Sequence, residues 1–578
     1  MTSNGKEWFR NEVYFWRCVH FAKNLALLQA LFTPVALILL QFSIWHPLEG
    51  PYKWLTSYMT PSTLWYHLLA IIATLILSLY HIANIEITPT VHATRLSQLW
   101  LYTNPRLAHT MLHAFLGGIT VRALLGLSQG RYAELVVNCG NDTRDRCLNE
   151  GHTFLVLHGV FTGVLLHFRR LANRQHCISF PVIQLKFANA RWQASLAFRK
   201  AVLDCLKSCY IFYALYYLLG SIPKSWISYN LGLDTWAGGS LQSLGILLDV
   251  NLLWTVVCTS ATLRAVEELA VYLRDVCFTE RFQFPVSVQY EADRVKQLIG
   301  AMSSQDCILL HYLGFLDFRH LAEYSPRRRA RAFAISTPGG HPLYWNALCD
   351  ACLGLARNFS KALGDTDAPP PPVTMPTFAT QPATPAALNE SLARMRKLVP
   401  ERGTPGMMMS PLSPRTPEPP QPSLLVKTLE AIKKKPLVAY FIAELPEVKS
   451  RTLFAQCQPL IWAVEGLCLL VCASYKEDKY GVVQATLPDI LATLLDMEQA
   501  RTLPCPIYVL ERHLKRCASL RRTANAGTGR EVLLRRSLAA SVNAGLYQIA
   551  CTFNKHLGSL NLTEEQRRRL KQFVDFSR

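Results

Sequence analysis

The sequence predicts an all-α, polytopic membrane protein with six transmembrane helices, followed by a cytoplasmic α-helical region that a disordered linker interrupts. Half of the 578 residues are apolar, and the mean hydropathy of +0.14 is high for a soluble chain. The apolar residues concentrate before residue 265, in blocks of the ~20 residues that cross a bilayer. Charged, proline-rich and amphipathic segments follow, which is typical of a soluble helical region.

Six segments are long and apolar enough, or nearly so, to span a membrane, and together they define a transmembrane domain over residues 1–262. Gly159 and Gly163 form a G-x-x-x-G motif, and Gly117 and Gly118 form a second small patch. Such residues favour close packing between membrane helices. The predicted spans are 25–45, 64–85, 108–127, 153–168, 202–222 and 243–262.

Lysine and arginine are divided unequally between the two sides of the predicted membrane. The N-terminal segment, the second-to-third loop and the fourth-to-fifth connection carry 13 of them, and the alternate loops carry five. Because cytoplasmic loops are enriched in these residues, both termini are predicted to be cytoplasmic. The same enrichment accounts for the net charge of +20 and the pI of 9.3 without a nucleic-acid partner, so no direct nucleic-acid contact is expected.

The loop between the third and fourth spans, 128–152, is lumenal in this topology and therefore lies in an oxidising compartment. It holds Cys139 and Cys147, which predict a lumenal disulfide, with two free thiols as the alternative. Asn141 begins an Asn-Asp-Thr sequon in the same loop and is a glycosylation candidate. It lies close to both membrane ends, so an unmodified side chain is an equal alternative.

Polar residues inside membrane spans mark transport paths when they line several helices. The candidates here are His113, Arg122, His158, Asp204 and Lys207. Most lie near span ends, where long side chains reach the interface, and Asp204 and Lys207 are close enough along their helix to pair. No series of acids follows several spans, which favours a structural role over the alternative, a multipass endomembrane transporter or channel with a cytoplasmic regulatory domain.

The chain after the sixth span begins with a mixed, mostly helical segment, 263–363. Residues 364–422 contain four consecutive prolines, repeated Thr-Pro and Ser-Pro pairs and almost no aromatic residues. Such a composition buries too little apolar surface to fold, so this segment is predicted to be a disordered linker. An unmodified spacer is one interpretation; the other is proline-directed phosphorylation at Thr384, Thr404, Ser410, Ser413 and Thr416.

Residues 423–578 are predicted to form a C-terminal helical domain, which begins with a basic, amphipathic helix over 423–437. This helix either contacts a membrane surface or a partner, or packs on the core of its own domain. The residues that would make the outward contacts are Leu424, Leu425, Leu429, Ile432, Lys433, Lys434 and Lys435.

The apolar segment 452–475 resembles a seventh span, but its polar residues, Glu465 among them, favour a buried core helix. Near the end of the chain, Thr563 and Gln566 form a capping-box pattern, which predicts a last helix. One face of that helix would carry Leu570, Phe573 and Phe576.

The sequence contains none of the short motifs that mark phosphate-binding loops, metalloproteases or serine hydrolases. Cys349 and Cys352 have the spacing of a zinc-binding pair, but no second pair follows at zinc-site distance, which favours a place in a helix core. The basic cluster of Arg327–Arg329 and Arg331 favours a solvated or phosphate-facing loop. We therefore expect no enzyme activity, no cofactor and no metal; an endomembrane enzyme would need clustered catalytic groups at one membrane depth.

Several tracts follow one another in a characteristic order. They are FLVLHGVFTG, FPVIQ, IPKSWIS, the stretch from SPRRR to PGGHP with its following tryptophan, IWAVEGL, DKYGVVQATLPDIL and RRRLKQFVDF. In this order they resemble the Ndc (nuclear division cycle) family of transmembrane nucleoporins, over almost the whole chain outside the linker. The linker is shorter than in familiar members, so partner contacts placed there are not carried over.

The resemblance implies a structural membrane anchor of the nuclear pore complex, which docks scaffold nucleoporins to the pore membrane and supports pore assembly and insertion. It also implies location at nuclear pores in the nuclear envelope, with both termini facing the cytoplasm or the pore, as the charge count predicts independently. The implied partners are the nuclear envelope membrane and other nucleoporins. Among these are an aladin-type WD-repeat adaptor and membrane-associated scaffold nucleoporins, contacted mainly through residues 437–578.

Overall fold

The structure is a computed structural model of the chain. It describes residues 3–41, 60–97, 100, 107–138, 146–180, 186–235, 249–286, 296–335, 340–367, 440–441, 448–502 and 526–575. These residues are mostly helical, with three strands of two or three residues each. The predicted all-α fold class is confirmed.

The first half of the chain forms a bundle of long helices. Three of them begin at side-chain caps, which Thr60, Asn149 and Asp249 provide, because the first N–H groups of a helix have no partner within it. A π-helical turn, Phe9–Tyr14, joins the first two helices. The helices are α1 Ser3–Trp8, α2 Phe15–Gln41, α3 Pro61–Ala83, α4 Leu107–Ser128, α5 Glu150–Ala172, α6 Lys186–Leu219, α7 Ser221–Leu231 and α8 Val250–Thr279.

Six helices in the described part of the chain are long and apolar enough to cross a membrane, as a polytopic protein requires. They are Gly5–Gln41, Pro61–Ala83, Leu107–Ser128, Glu150–Ala172, Ala190–Leu219 and Gln458–Glu477. The first five overlap the first five predicted spans. The fourth is longer than predicted, with 23 residues, which is enough to cross a bilayer. The sixth lies in the C-terminal half, where the sequence predicts a buried core helix.

The sixth predicted span, 243–262, falls partly on α8, which is not one of those six helices. Residues 243–248 are not described, and α8 begins at Val250 because Asp249 caps it. Charged residues, Arg264, Glu267 and Glu268 among them, interrupt the apolar run of this helix, and hydroxyl residues recur along its buried side. Thr255 and Thr259 each donate a hydrogen bond to a backbone carbonyl four residues earlier, at 2.8 Å, so the helix satisfies them internally.

The outer faces of the membrane helices carry large apolar side chains that are exposed in the structure. On α3 these are Leu64, Leu68, Ile72, Ile76 and Leu79, spaced three or four residues apart and therefore aligned along one face of the helix. Soluble monomeric proteins rarely expose an apolar face of this length. An apolar surface of this kind is compatible with contact with lipid chains.

Helices α4 and α5 approach closely at the predicted glycines. A Cβ atom on Gly117 would lie 2.6 Å from the carbonyl oxygen of Gly159, and one on Gly159 would lie 2.7 Å from a methyl carbon of Val121. A Cβ on Gly163 would overlap the backbone of His113. The G-x-x-x-G motif therefore works as the sequence predicts, by letting two membrane helices pack backbone to backbone.

The loop after α4 forms a small sheet. Strands β1 Val136–Asn138 and β2 Arg146–Leu148 are antiparallel, and β3 Asp234–Thr235 pairs with β2 in parallel. The Tyr132 hydroxyl donates a hydrogen bond to the carboxylate of Asp249, 3.2 Å away, and thereby ties this loop to the start of α8.

The rest of the described chain forms a second helical domain in which α14 is the central helix. We interpret α14 as a buried core helix and not as a span, and we refer to this domain as the soluble domain. Helices α10, α12 and α16 surround α14, and its residues from Pro459 to Val471 are largely buried. The predicted linker, 364–422, falls almost wholly outside the described residues. The helices of this domain are α9 Leu298–Met302, α10 Ile308–Tyr324, α11 Pro326–Ala332, α12 Leu343–Asp367, α13 Val448–Ala455, α14 Gln458–Glu477, α15 Leu487–Thr502, α16 Ala526–Thr552 and α17 Glu564–Val574.

The acidic residue in the middle of α14, Glu465, is paired within the domain. Glu465 accepts a hydrogen bond from Ser541 at 2.7 Å and forms an ion pair with Arg319 at 2.6 Å. At the end of the domain, the predicted capping box of Thr563 and Gln566 is present and begins α17. Its predicted apolar face is buried at Leu570 and Phe573, while Phe576 lies beyond the described residues.

Candidate anchoring and docking region

The membrane bundle and the soluble domain share one continuous apolar core. Phe9 and Phe21, from the first helices, belong to the same buried cluster as Phe278 at the end of α8 and Leu570 in α17. Because α8 runs from the bundle into this cluster without a break, the two halves are joined by packed side chains and not by a flexible tether. A force on the soluble domain is therefore transmitted directly to the membrane helices.

Arg17 fastens α2 to the end of α8. Its guanidinium donates hydrogen bonds to the carbonyl oxygens of Phe278 and Glu280, both at 2.6 Å, and is largely buried. The last carbonyl groups of a helix have no partner within it, and the helix dipole favours a cation beside them. Arg17 provides both the hydrogen-bond donors and the positive charge, and it thereby joins α2 to the end of α8 at the base of the soluble domain.

Asp317 on α10 holds the segment after α8 against the soluble domain. Its carboxylate accepts hydrogen bonds from Arg328 at 2.6 Å, from Arg281 at 3.1 Å and from the backbone N–H of Phe284 at 3.0 Å, and the side chain is fully buried. A buried charge is stable only when paired and fully hydrogen-bonded in this way. The network therefore determines where the chain enters the domain.

The basic SPRRR tract differs from its predicted role as a solvated or phosphate-facing loop. It forms the short helix α11, and Arg328 joins the Asp317 network. Arg329 makes a bidentate pair with Glu477, at 2.6 and 2.9 Å, and this hydrogen bonding raises the pKa of Arg329. The prediction is wrong for these two residues, whereas Arg327 and Arg331 are exposed as expected.

The polar residues of the predicted spans make local bonds between helices. Asp204 pairs with Arg169 of α5 and not with Lys207, the partner its sequence position suggests. Arg122 donates to the carbonyl oxygen of Ala133 at 3.1 Å, at the end of its helix. These contacts join neighbouring elements, as a structural role requires.

The predicted modification and contact sites fall mostly on residues that the structure does not describe. Cys147 is disulfide-bonded, but Cys139 and Asn141 are not described, so the Cys139–Cys147 pairing and the glycan stay predictions. The same holds for the phosphorylation candidates between 384 and 416 and for the amphipathic contact residues between 424 and 435.

Cys349 and Cys352 lie in the core of the soluble domain, on α12. Burial raises the pKa of the Cys349 thiol to about 12 and raises that of Cys352 well above its usual value. Both are free thiols, so the helix-core interpretation of this pair agrees with the structure. A protonated, buried thiol is a poor nucleophile and a poor metal ligand.

The C-terminal domain has an exposed aromatic face at the end of α14. Tyr475 is 51% exposed, and its ring lies 5.5 Å from that of Phe553. Tyr547 on the neighbouring helix α16 is also partly exposed. Tyrosine is enriched at protein interfaces, which makes these exposed rings candidate docking residues.

Comparison with known proteins decides the family. The family model described as Nucleoporin protein Ndc1-Nup matches residues 12–571, which is nearly the whole chain. The chain belongs to the Ndc1 family of nucleoporins. The resemblance read from the sequence tracts is thereby confirmed.

Members of the Ndc1 family in animals align with the chain from end to end. Nucleoporin NDC1 of Danio rerio is 28% identical and covers 98% of this chain and 98% of its own length. The Homo sapiens protein of the same name is 28% identical over 97% of this chain and 96% of its own. Nucleoporin Ndc1 of Drosophila melanogaster is 22% identical over 96% and 97%.

Family membership and the apolar helices together make this chain a transmembrane nucleoporin of the nuclear pore membrane. Nucleoporins are components of the nuclear pore complex, so it works among other nucleoporins. The Ndc1 family is one of structural nucleoporins and not a known enzyme family.

Proposed function

We propose that this Ndc1-family nucleoporin is a structural anchor, which docks scaffold nucleoporins to the pore membrane and supports pore assembly and insertion. The observation that carries the proposal is the continuous core between the membrane helices and the soluble domain, reinforced by Arg17. An anchor must keep the docked scaffold nucleoporins in a fixed position relative to the membrane. A packed junction between the membrane helices and the soluble domain does this better than a flexible linker. No catalytic step is part of the proposal.

The proposed topology has six crossings with both termini facing the cytoplasm or the pore. The division of Lys and Arg supports it. We assign the sixth crossing to α8, whose 30 residues span about 45 Å. The start of α8 is hydrogen-bonded to Tyr132, in the loop after α4, and the end of α8 is hydrogen-bonded to Arg17, near the start of α2. Helix α8 therefore connects opposite ends of the bundle.

The proposed partners are an aladin-type WD-repeat adaptor and membrane-associated scaffold nucleoporins, docked on residues 437–578. The exposed face around Tyr475 and Tyr547 supports this placement. The amphipathic segment 423–437 would add a contact with membrane or partner. Phosphorylation in the linker would adjust docking, and a Cys139–Cys147 disulfide with a glycan at Asn141 would stabilise the lumenal loop.

Live imaging of a C-terminally tagged chain beside a pore scaffold marker tests the location that an anchor needs. A punctate nuclear rim that coincides with the marker is expected. A diffuse reticular or plasma-membrane pattern would contradict the anchor and favour a transporter or a membrane enzyme.

Docking is better tested by surface substitutions than by truncation at residue 437, because truncation removes α14 and opens the shared core. We expect Tyr475→Asp combined with Tyr547→Asp to reduce co-purification of scaffold nucleoporins while the protein still reaches the nuclear rim. Tyr324→Asp, at an exposed tyrosine of α10 outside 437–578, is the matched control. Equal partner recovery from both variants would refute docking on this face.

A further inference from the structure

Four histidines from three membrane helices meet at the end of the bundle that adjoins the soluble domain. His81 lies in the last turn of α3, His109 and His113 lie four residues apart on α4, and His167 lies near the end of α5. The ring centroids are 4.7 Å apart for His81 and His113 and 5.1 Å apart for His113 and His167. This cluster has no part in the anchoring contacts described above.

Two ring nitrogens in the cluster converge on one point together with a carboxylate. The Nε2 atoms of His81 and His113 are 2.8 Å apart, and a carboxylate oxygen of Glu267, on α8, joins them in a group whose atoms all lie within 4.8 Å. Imidazole nitrogens and a carboxylate oxygen that converge in this way form a typical ligand set for zinc and similar divalent metals.

A cavity of about 300 Å³ adjoins the converging atoms. Asn84, His109, His167 and His176 are among the polar residues that line it, together with His81 and His113. The buried Nδ1 atoms of His81 and His113 have no hydrogen-bond partner among the described residues. Water in the cavity would complete the coordination of a metal ion and serve those Nδ1–H groups, as outer partners do in metal sites.

Two arginines, Arg170 and Arg274, line the cavity, and each is paired with a carboxylate. Arg170 pairs with Glu267, and Arg274 pairs with Asp275 at 2.7 Å. These pairs offset the positive charge of the two arginines, and the Glu86 carboxylate also lines the cavity.

The geometry points to a divalent transition-metal site, of the zinc class, with His81 Nε2, His113 Nε2 and the Glu267 carboxylate as its protein ligands. Water or His167 completes the coordination. The ion joins α3, α4 and α8 at the end of the bundle where the shared core begins, so it acts as a structural clamp on the base of the soluble domain. The sequence gives little sign of it, because its ligands are 32 and 154 residues apart along the chain.

Metal content measured on the full-length chain tests this assignment. The chain is purified in detergent with a tag that contains no histidine, equilibrated with Zn²⁺, desalted, and analysed by mass spectrometry for metal per chain. We expect about one tightly bound Zn²⁺ and a higher melting temperature than after chelator treatment, because an ion bound only by the folded state stabilises it. Wild-type protein that retains no Zn²⁺ would overturn the proposal.

Variants then identify the ligands. His81→Gln and His113→Gln are expected to weaken zinc binding at least about tenfold, the loss that even outer partners of a metal site produce. His158→Gln is the matched control, since His158 is a buried histidine of α5 that lies outside the cluster, and this variant should bind zinc as wild type does. Unchanged binding in the two cluster variants would refute the assignment.

Cobalt substitution keeps the test decisive if a cluster variant fails to fold. Co²⁺ bound to the wild-type chain should show the strong visible absorption bands of a tetrahedral nitrogen and oxygen site. X-ray absorption should show two histidine ligands, or three where His167 completes the coordination. A spectrum of six-coordinate, water-ligated Co²⁺ would instead indicate surface binding and contradict the site.

Discussion

Helices α3 and α14 are both apolar and about 20 residues long, yet one has an exposed apolar face and the other is largely enclosed by helices. The outward side chains of α3, such as Leu68 and Ile72, are exposed, whereas α14 lies among helices whose outer surfaces are charged. Hydropathy reports that a helix avoids water. Hydropathy does not indicate whether lipid or protein surrounds the helix, because lipid tails are as apolar as leucine side chains.

Helix α4 shows that burial alone does not separate the two cases. In α4 and in α14 the same share of the most apolar window is buried, 67%. The neighbours differ, because α4 lies among helices with apolar outer faces and α14 lies among amphipathic helices. The identity of the second layer of helices is therefore what distinguishes a central span from a soluble core.

The largest effect is expected where a charge in the soluble half loses its partners. Asp317→Ala leaves Arg281 and Arg328 without their buried carboxylate, which costs about 3–5 kcal/mol in comparable ion pairs. The thermal unfolding of the full chain should shift to lower temperature. Asp350→Ala, at an exposed aspartate of α12, is the control and should leave the transition in place.

Leucine truncations compare α3 and α14 directly. Leu470→Ala in α14 removes a fully buried side chain and should reduce the free energy of unfolding by about 2–5 kcal/mol. Leu68→Ala on the outer face of α3 should change it by no more than about 0.5 kcal/mol, because this outward side chain contributes little to packing within the protein. Similar losses in the two variants, measured by chemical denaturation in detergent, would show that α3 is also enclosed by protein.

Glycine substitutions should have opposite signs in the two halves. Gly163→Ala forces a methyl group into the backbone of His113, so α4 and α5 must separate, at a cost of about 1–3 kcal/mol. Gly354→Ala in α12 meets open space and should stabilise the protein by roughly 0.5–1 kcal/mol, since alanine is the better helix former. Melting temperatures that move in the same direction would contradict this comparison.

The smallest expected effect is local and concerns the reactivity of two cysteines in the soluble half. Because the pKa of Cys349 is raised to about 12, only about one thiol in ten thousand is ionised at pH 8. Alkylation of the folded chain should therefore spare Cys349 and modify the exposed Cys551 first. Peptide mass spectrometry after timed labelling measures both; equal labelling of the two would mean that α12 opens readily.

Local patterns determined much of the fold without any tertiary information. The first five spans follow from runs of apolar residues, α17 follows from the Thr563–Gln566 capping box, and spaced glycines mark helix faces that can pack closely. Each of these signals lies within about 20 neighbouring residues, so the sequence displays it directly. The order of several tracts is enough to indicate the family from the sequence alone.

Pairing between distant segments was decided only by the tertiary structure. The sequence places a basic cluster at SPRRR, but the fold brings Arg328 to Asp317 and Arg329 to Glu477. The convergence of His81 and His113 with Glu267 is of the same kind. Contacts of this sort depend on how helices pack around a common core, and no local period in the sequence records which helices become neighbours.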